Sequence, residues 1–223
     1  MTSICVRCKH NLELALPIVT QRASAVRRAR ARRSNVPLRD QIRDAARELF
    51  AREGYESVSM RRIGSKIGCS PMAIYRHFEN KEELLLSICE ETFNRMIQLL
   101  DETRLQPGTA LERLRRSLRT IMDFHLGHPN HYKVTFMTVM PPGPVAERKV
   151  AIGQRAMDRL RAGVRECAAE KGIEVDVEMT AQVLRVAMHG IASMLITTSQ
   201  CYPWKDPERM KEIVIETVTR QFE

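Results

Sequence analysis

Sulfur and imidazole groups that could bind a metal ion occur in two places along the 223-residue chain. Cys5, Cys8 and His10 form a Cys-x-x-Cys-x-His segment, and histidines recur at positions 125, 128 and 131. Structural zinc sites normally use four ligands, and no second Cys-x-x-Cys pair completes the first segment. A proline at position 129 interrupts the helical register of the second group. A metal- or redox-responsive protein therefore remains an alternative, and no metal site is predicted.

Residue patterns typical of enzymes are absent from the sequence. It contains no G-x-S-x-G nucleophile elbow, no P-loop, no G-x-G-x-x-G loop and no H-E-x-x-H pair. Cys167, a candidate nucleophile, has no recognisable His or Asp partner nearby in the sequence. We therefore expect a protein that is not an enzyme and that uses no cofactor.

The positive charge of the chain is concentrated in its first third. Residues 1–80 contain 16 Lys and Arg against 7 Asp and Glu, whereas residues 81–223 contain 20 of each class, so the first third accounts for the net charge of +9. Such a concentration indicates binding to a polyanion, either nucleic acid or membrane phosphates. Six arginines lie within residues 22–33. Residues 1–36 are therefore predicted to be a disordered basic arm. This arm either contacts the DNA backbone or minor groove, or is an unstructured extension without a role.

The cysteines and the hydropathy of the sequence indicate the cellular compartment of the protein. The six cysteines follow no disulfide framework, and the apolar run near the N-terminus is short and broken by Glu13 and Pro17, which makes a poor signal peptide. No run of eighteen apolar residues is present, so no transmembrane helix is expected. These features predict a cytoplasmic protein with reduced thiols and no membrane partner.

Three short helices are predicted between residues 37 and 82. Apolar residues of the first helix, from residue 38 to about residue 52, recur on one face at Ile42, Ala45, Ala46, Leu49 and Phe50. Two serines provide N-caps for the second and third helices, at positions 59 and 70, and Gly68 supplies the turn between them. A helix, a short turn with glycine and a second helix have the spacing of a helix-turn-helix.

Residues 54–85 read GYESVSMRRIGSKIGCSPMAIYRHFENKEELL. This segment resembles the helix-turn-helix of the TetR family, through its turn glycine, its cap serines and the run Tyr-x-x-Phe-x-x-Lys-x-x-Leu that begins at Tyr75. One departure is Gly64, where the family usually has alanine. The resemblance implies a DNA-reading surface with phosphate contacts from Ser59, Tyr75 and Lys81. The candidate DNA-binding residues are Arg39, Ser59, Arg61, Ser70, Pro71, Met72, Ala73, Tyr75, Arg76, His77 and Lys81.

The remainder of the chain is predicted to be helical, so the fold class is all-α, with a DNA-binding domain at residues 37–82 and a ligand-binding and dimerisation domain at 83–223. Helices are expected at residues 81–105, 109–126, 131–140, 145–171, 175–200 and 207–222. A second resemblance is to TetR-family C-terminal domains with a Trp-His-Gly signature, in which Met188 here replaces the tryptophan.

Two further sets of residues follow from these helices. A stripe of small residues and a matching apolar stripe on the last helix, together with the resemblance, imply a homodimer interface; its candidates are Ala187, Gly190, Ser193, Thr197, Met210, Ile213, Val214 and Val218. Apolar and imidazole side chains predict a pocket for a small apolar or acyl-type effector; its candidates are Met122, His125, Tyr132, Phe136, Met140, Met157 and His189.

The expected function is a transcriptional repressor that a small molecule releases from a palindromic, double-stranded DNA operator. Repression is the usual mode of the family that the sequence resembles. A nucleoid-type DNA-binding protein is a further alternative, which would explain the arginines but not the large neutral helical domain.

Overall fold

The structure is a computed structural model that describes residues 36–198 and 201–223. Within these residues it contains α-helices, one short 3-10 helix and no β-strand, which confirms the all-α prediction. The helices are α1 (Leu38–Glu53), α2 (Met60–Ile67), α3 (Pro71–Tyr75), α4 (Lys81–Arg104), α5 (Ala110–Gly127), α6 (Pro129–Phe136), α7 (Pro144–Lys171), α8 (Val177–Thr198) and α9 (Pro207–Thr219), followed by the 3-10 helix Arg220–Phe222.

Side-chain caps fix the starts of the short helices. The Ser59 hydroxyl accepts a hydrogen bond from the Arg62 amide at 3.2 Å, and the Ser70 hydroxyl accepts one from the Ala73 amide at 3.2 Å. Each cap satisfies one of the amides that the first turn of a helix leaves unpaired. Gly68 ends α2 in the left-handed conformation with φ of 76°. The helix-turn-helix is thus defined locally, by caps and a turn glycine.

Gly64 lies where the backbone of α2 closely approaches the backbone of the turn that follows it. A Cβ atom at residue 64 would lie 2.6 Å from the carbonyl oxygen of Cys69, a backbone atom in the turn between α2 and α3. The amide of Cys69 also donates to the Gly64 carbonyl at 3.0 Å, which holds the two segments together. The departure from the family's alanine therefore matches the tight packing of this turn.

Gly64→Ala is expected to lower the free energy of unfolding although alanine is the better helix former. The gain in helix propensity of about 1 kcal/mol is opposed by overpacking, which costs about 1–3 kcal/mol when the neighbour cannot move freely. Thermal unfolding of both proteins measures the result. Ser65→Ala, at the exposed next position of α2, is the matched control and should change the midpoint little; a Gly64→Ala protein with a raised midpoint would contradict the steric argument.

Two groups of buried apolar side chains fill the interior. The first joins α1, α2 and α3 to α4 and includes Ile74, Phe78 and Phe93. The second joins α5, α7, α8 and α9 and includes Met188 and Phe222. Helix α4 runs along the first group and packs against α5, α6 and α7. The DNA-binding helices are therefore continuous, through α4, with the larger helical domain.

Several predicted helix boundaries are close to those observed, and one is wrong. The predicted helix at residues 131–140 is α6, which begins earlier and ends at Phe136. Pro129 occupies the first position of α6, where its missing N–H costs nothing. Pro141 prevents a helix from continuing at the C-terminal end. A proline ring clashes with the carbonyl four residues before it, and proline lacks the N–H for the helical hydrogen bond. The last turn of the predicted helix therefore does not form.

Candidate functional site

The outer face of α3 is exposed although it carries large side chains. The side chains of Met72 and Tyr75 are 66% and 49% exposed, whereas Ile74 between them is fully buried against α1 and α2. Ser70, Pro71 and Arg76 are also exposed, and Ala73 and His77 are half-buried. The predicted DNA-reading residues thus lie together on one short, capped helix whose position the core fixes.

Two predicted DNA contacts already have partners within the chain. The Arg39 guanidinium donates to the carbonyl of His77 at 3.0 Å and lies 4.5 Å from the centre of the Phe78 ring. The Lys81 ammonium donates to the carbonyl of Tyr55 at 3.0 Å and lies over the Tyr55 ring. These contacts secure both ends of the helix-turn-helix. Each cation keeps further N–H groups that could reach a phosphate.

The remaining two predicted contacts are on α2 and its cap. Arg61 is exposed, and Ser59 is exposed while its hydroxyl caps the helix. The structure therefore places all eleven candidates at or beside the surface formed by α2, α3 and the ends that flank them. Their contacts with DNA stay a prediction.

A polar network connects α1 to α4 and α6. Glu91 on α4 accepts from Arg47 at 2.9 Å and forms an ion pair with Arg43 at 3.1 Å, both on α1. The hydroxyl of Thr92, the next residue on α4, hydrogen-bonds to Nδ1 of His131 on α6 at 3.1 Å. These contacts join α1 to α4 and α4 to α6. A movement of α4 or α6 would therefore shift α1, the first helix of the DNA-binding domain.

A cavity with about 60 Å³ of free space lies where the two groups of buried side chains meet. Of the seven predicted effector residues, four line it: His125, Phe136, Met157 and His189. Met122 is instead packed in the second group, and Met140 lies against the first. Tyr132 does not line the cavity itself but contacts three residues that do, namely His125, Phe136 and His189. The sequence missed other wall residues, namely Phe93, Met96, Leu100, Ser117, Leu118, Ile121, Gly153, Ala156, Leu160, Arg185 and Met188.

A buried imidazole, of His125, and a half-buried one, of His189, form one side of this cavity. His125 is 2% exposed, and its Nδ1 has no hydrogen-bond partner among the described residues. Its ring stacks on that of His189 at a centroid distance of 5.7 Å. Tyr132 hydrogen-bonds to both Nδ1 and the carbonyl of His189, each at 3.2 Å. Burial lowers the pKa of His125 to about 3 and that of His189 to about 4, so both rings are neutral at pH 7.

These histidines make folding stability depend on pH. Burial, together with the nearby Arg47, likewise lowers the pKa of His131 to about 4, whereas the pKa of an unfolded histidine is about 6.5. Below pH 6.5 the unfolded chain binds protons that the folded chain excludes, so stability is full above that pH and is lost as the pH falls towards 4. The loss approaches about 1.4 kcal/mol per pH unit for each such histidine.

Urea unfolding between pH 7.5 and pH 5 is expected to show this decrease in the free energy of unfolding. Free aspartate and glutamate side chains titrate near pH 4, which is below this window, so the decrease is attributed to the histidines. His125→Gln should reduce the slope with pH whatever its effect on stability at pH 7.5. An unchanged slope in that variant would contradict a buried, neutral His125.

An apolar stripe on α8 is exposed beside the predicted dimer residues. Val186 is 70% exposed, and Met179, Val183 and Met194 are about half-exposed. These side chains lie on the same face of α8 as Gly190, where an added Cβ would meet no atom of the described residues within 4 Å. Of the predicted residues, Gly190, Thr197 and Ile213 are exposed, and Ala187, Ser193, Met210, Val214 and Val218 are half-buried. The prediction from sequence thus included the small residues of this face and omitted its larger apolar side chains.

The composition of α8 has a second consequence. By length and hydropathy alone this 22-residue helix could cross a membrane, with a mean hydropathy of 1.3 over its most apolar window. That finding differs from the expectation of no transmembrane helix, which rested on the lack of an uninterrupted run of eighteen apolar residues. One third of the window is buried within the chain, and the core helix of a globular protein passes the same test. The finding is weak evidence for a membrane.

The metal-binding alternative cannot be supported from the described part of the chain. Cys5, Cys8 and His10, and the arginine arm at residues 1–36 apart from Val36, lie outside the described residues. Among the residues that are described, no group of three or more His, Cys, Asp or Glu side chains could hold a metal ion, which includes the three histidines from position 125 to 131.

Comparison with known proteins agrees with these features. The family of bacterial regulatory proteins named tetR matches residues 42–88, and the family of tetracyclin repressor-like C-terminal domains matches residues 114–218. The two matches cover the helix-turn-helix and most of the helical domain that surrounds the cavity.

Solved structures share the fold. The transcriptional regulator FadR from Bacillus subtilis, in complex with stearoyl-CoA, superposes with a TM-score of 0.71 and 22% identity over 80% of this chain and 96% of its own. The fatty acid degradation regulator FadR from Bacillus halodurans gives 0.71 and 20%, over 82% and 95%. PfmR, a TetR-family regulator from Thermus thermophilus, gives 0.64 and 24%, over 82% and 94%. With both family matches in place, the chain belongs to the TetR family of bacterial transcription regulators.

Proposed function

We propose that the protein is a homodimeric repressor that a small apolar or acyl-type effector releases from a palindromic operator. DNA-binding regulation is the activity of the family; the sign of regulation, the dimer and the effector are the added elements. The observation that carries the proposal is the position of the cavity. It lies between the group of side chains that holds the DNA-binding helices and the group that holds α8 and α9.

The exposed stripe on α8 supports a dimer. Unpaired apolar side chains on a helix that also packs against α9 are typical of an interface between chains. One helix-turn-helix reads a half-site, and half-sites lie about 34–36 Å apart on one face of the duplex. A two-fold dimer through α8 and α9 would present two copies of α3 to such an operator.

The walls of the cavity support control by an effector. Phe93 on α4 packs against Phe136 on α6 with a centroid distance of 5.5 Å. Both residues line the cavity, and α4 and α6 both contact α1. Ligand sites for drug-sized molecules usually have about 300–1,000 Å³, well above the 60 Å³ present. An effector of that size must therefore displace part of the wall, and a displacement of α4 or α6 would alter the spacing of the two α3 helices.

Stearoyl-CoA in the FadR structure also supports an acyl-type effector for this chain. The FadR of Bacillus subtilis has the same fold, and acyl chains suit walls made of Phe, Met, Leu and Ile side chains. At 22% identity the likeness supports the class of effector and not its identity.

Selection of binding sites from a random DNA pool with the purified full-length protein tests the proposal. A palindromic consensus with half-sites one helical turn apart is expected. A lack of sequence preference would contradict it and favour a nucleoid-type protein. The selected operator then serves in a fluorescence-anisotropy screen, in which at least one apolar or acyl-type compound should release the DNA. An operator complex that no compound in a broad acyl and apolar set disturbs would contradict the effector part.

A further inference from the structure

The wall of the cavity carries charge at one residue only among those described. Its lining is Phe, Met, Leu, Ile, Ala and Gly, with Ser117, two histidines and Arg185 as the polar members. Ser117 is already hydrogen-bonded to Thr103 at 2.8 Å. No Asp or Glu of residues 36–198 and 201–223 lines the cavity. A cationic ligand would therefore meet a positive charge and no compensating carboxylate.

Arg185 differs from two arginines of α7 in its partners. On α7, Arg159 binds both oxygens of Asp101, and Arg161 binds both oxygens of Glu178. Arg185 on α8 is exposed and forms no hydrogen bond or ion pair with any residue that the structure describes. A guanidinium offers five N–H donors in a planar fork that matches a carboxylate. Arg185 is thus an available anion receptor at the edge of an apolar cavity.

The buried side of the cavity complements it with neutral polar groups. His189 lies one helical turn beyond Arg185, and His125 stacks on His189 deeper in the protein. Nδ1 of His125 is a buried polar atom without a partner among the described residues. Desolvation disfavours the protonated form of both rings, so neither can neutralise an anion held inside. The charge of a bound anion must therefore remain at Arg185.

From this arrangement we infer that the effector is an amphipathic monoanion, whose carboxylate binds Arg185 and whose apolar chain enters the cavity towards Phe93, Phe136 and Met157. This inference rests on the proposal that the cavity is the effector site. It adds the class of ligand and the residue that selects it. Cationic amphiphiles are excluded by Arg185, and uncharged ones bind through the chain alone.

Three ten-carbon probes distinguish these classes: decanoate, 1-decanol and decyltrimethylammonium, each used below its micelle concentration. Isothermal titration calorimetry of the full-length protein without DNA should show binding of decanoate that is at least about tenfold tighter than that of decanol, which corresponds to about 1.4 kcal/mol. Decyltrimethylammonium should not bind. Equal binding of decanoate and decanol, or no binding of decanoate, would overturn the inference.

Arg185→Gln should weaken decanoate binding by about tenfold or more and leave decanol binding unchanged. Arg155→Gln is the matched control, because Arg155 is exposed on α7 and does not line the cavity. Equal losses in both variants would show that general surface charge attracts the probe, and would also overturn the inference.

Operator release in the anisotropy assay separates this inference from the proposed function. If decanol releases the operator as well as decanoate does, the repressor proposal stands and the anionic class is wrong. If decanoate binds with the expected dependence on Arg185 and leaves the operator complex intact, the ligand class stands and effector control is wrong.

Discussion

Val186→Glu is expected to convert the protein to a monomer and to weaken operator binding by at least about 100-fold. Val186 is the most exposed apolar side chain of the α8 stripe, at 70%. In a two-fold dimer each substitution is present twice and places two carboxylates near the axis, where removal from water is costly without a partner. A monomer binds one half-site only, so it loses the contribution of the second.

Analytical ultracentrifugation and anisotropy with the selected operator measure the two effects. Val150→Glu is a close control, because Val150 is 61% exposed on α7 and is not one of the residues of the α8 stripe. It should remain dimeric and bind DNA normally. Since residue 186 is exposed in the isolated chain, its replacement should leave the helix content of the monomer intact. A Val186→Glu protein that stays dimeric would rule out the α8 face as the interface.

The helix-turn-helix was predictable from the sequence because its determinants are local. Ser59 and Ser70 cap helices within three residues, Gly68 supplies the left-handed turn, and Pro71 takes a first-turn position. Each of these effects acts over a single turn of chain. The buried face of α3 was also predictable, because Ile74 and Phe78 stand four residues apart and both pack into the first core.

The cavity was only partly predictable, because its wall is assembled from α4, α5, α6, α7 and α8. Phe93 and Met96 have the same spacing as the core residues around them, so periodicity alone cannot separate a cavity wall from packed core. Met122 and Met157 illustrate the difference. Both are buried methionines, yet Met157 lines the cavity and Met122 does not.

The partners of Arg39 and Lys81 were missed for a related reason. Arg39 contacts the backbone of His77, which is 38 residues away, and Lys81 contacts the backbone of Tyr55, which is 26 residues away. Every residue has a backbone carbonyl, so the pattern of residue types in the sequence cannot predict which carbonyl accepts such a hydrogen bond. Both side chains support the reading helix whatever they contribute to phosphate binding.

Arg76→Ala is expected to weaken operator binding by about 30-fold or more, the second large effect. Arg76 is exposed directly after α3, where the chain still has helical backbone angles. A base or phosphate contact from arginine contributes about 1–3 kcal/mol, and the dimer makes it twice. Because Arg76 is exposed and α3 is held by Ile74 and Phe78, the variant should unfold at nearly the same temperature as the parent protein.

The same variant reveals what Arg76 contacts. If its guanidinium binds a base, affinity should fall for the selected operator and little for unrelated DNA, and the preference at one position of each half-site should relax. If it binds a phosphate, affinity should fall equally for all sequences, and the dependence of log K on log salt should become shallower by about 1 for each contact. Arg155→Ala, far along the chain on α7, should change neither quantity. Unaltered affinity in the Arg76→Ala protein would contradict a DNA contact by Arg76. It would indicate that the reading surface lies at Met72 and the start of α3.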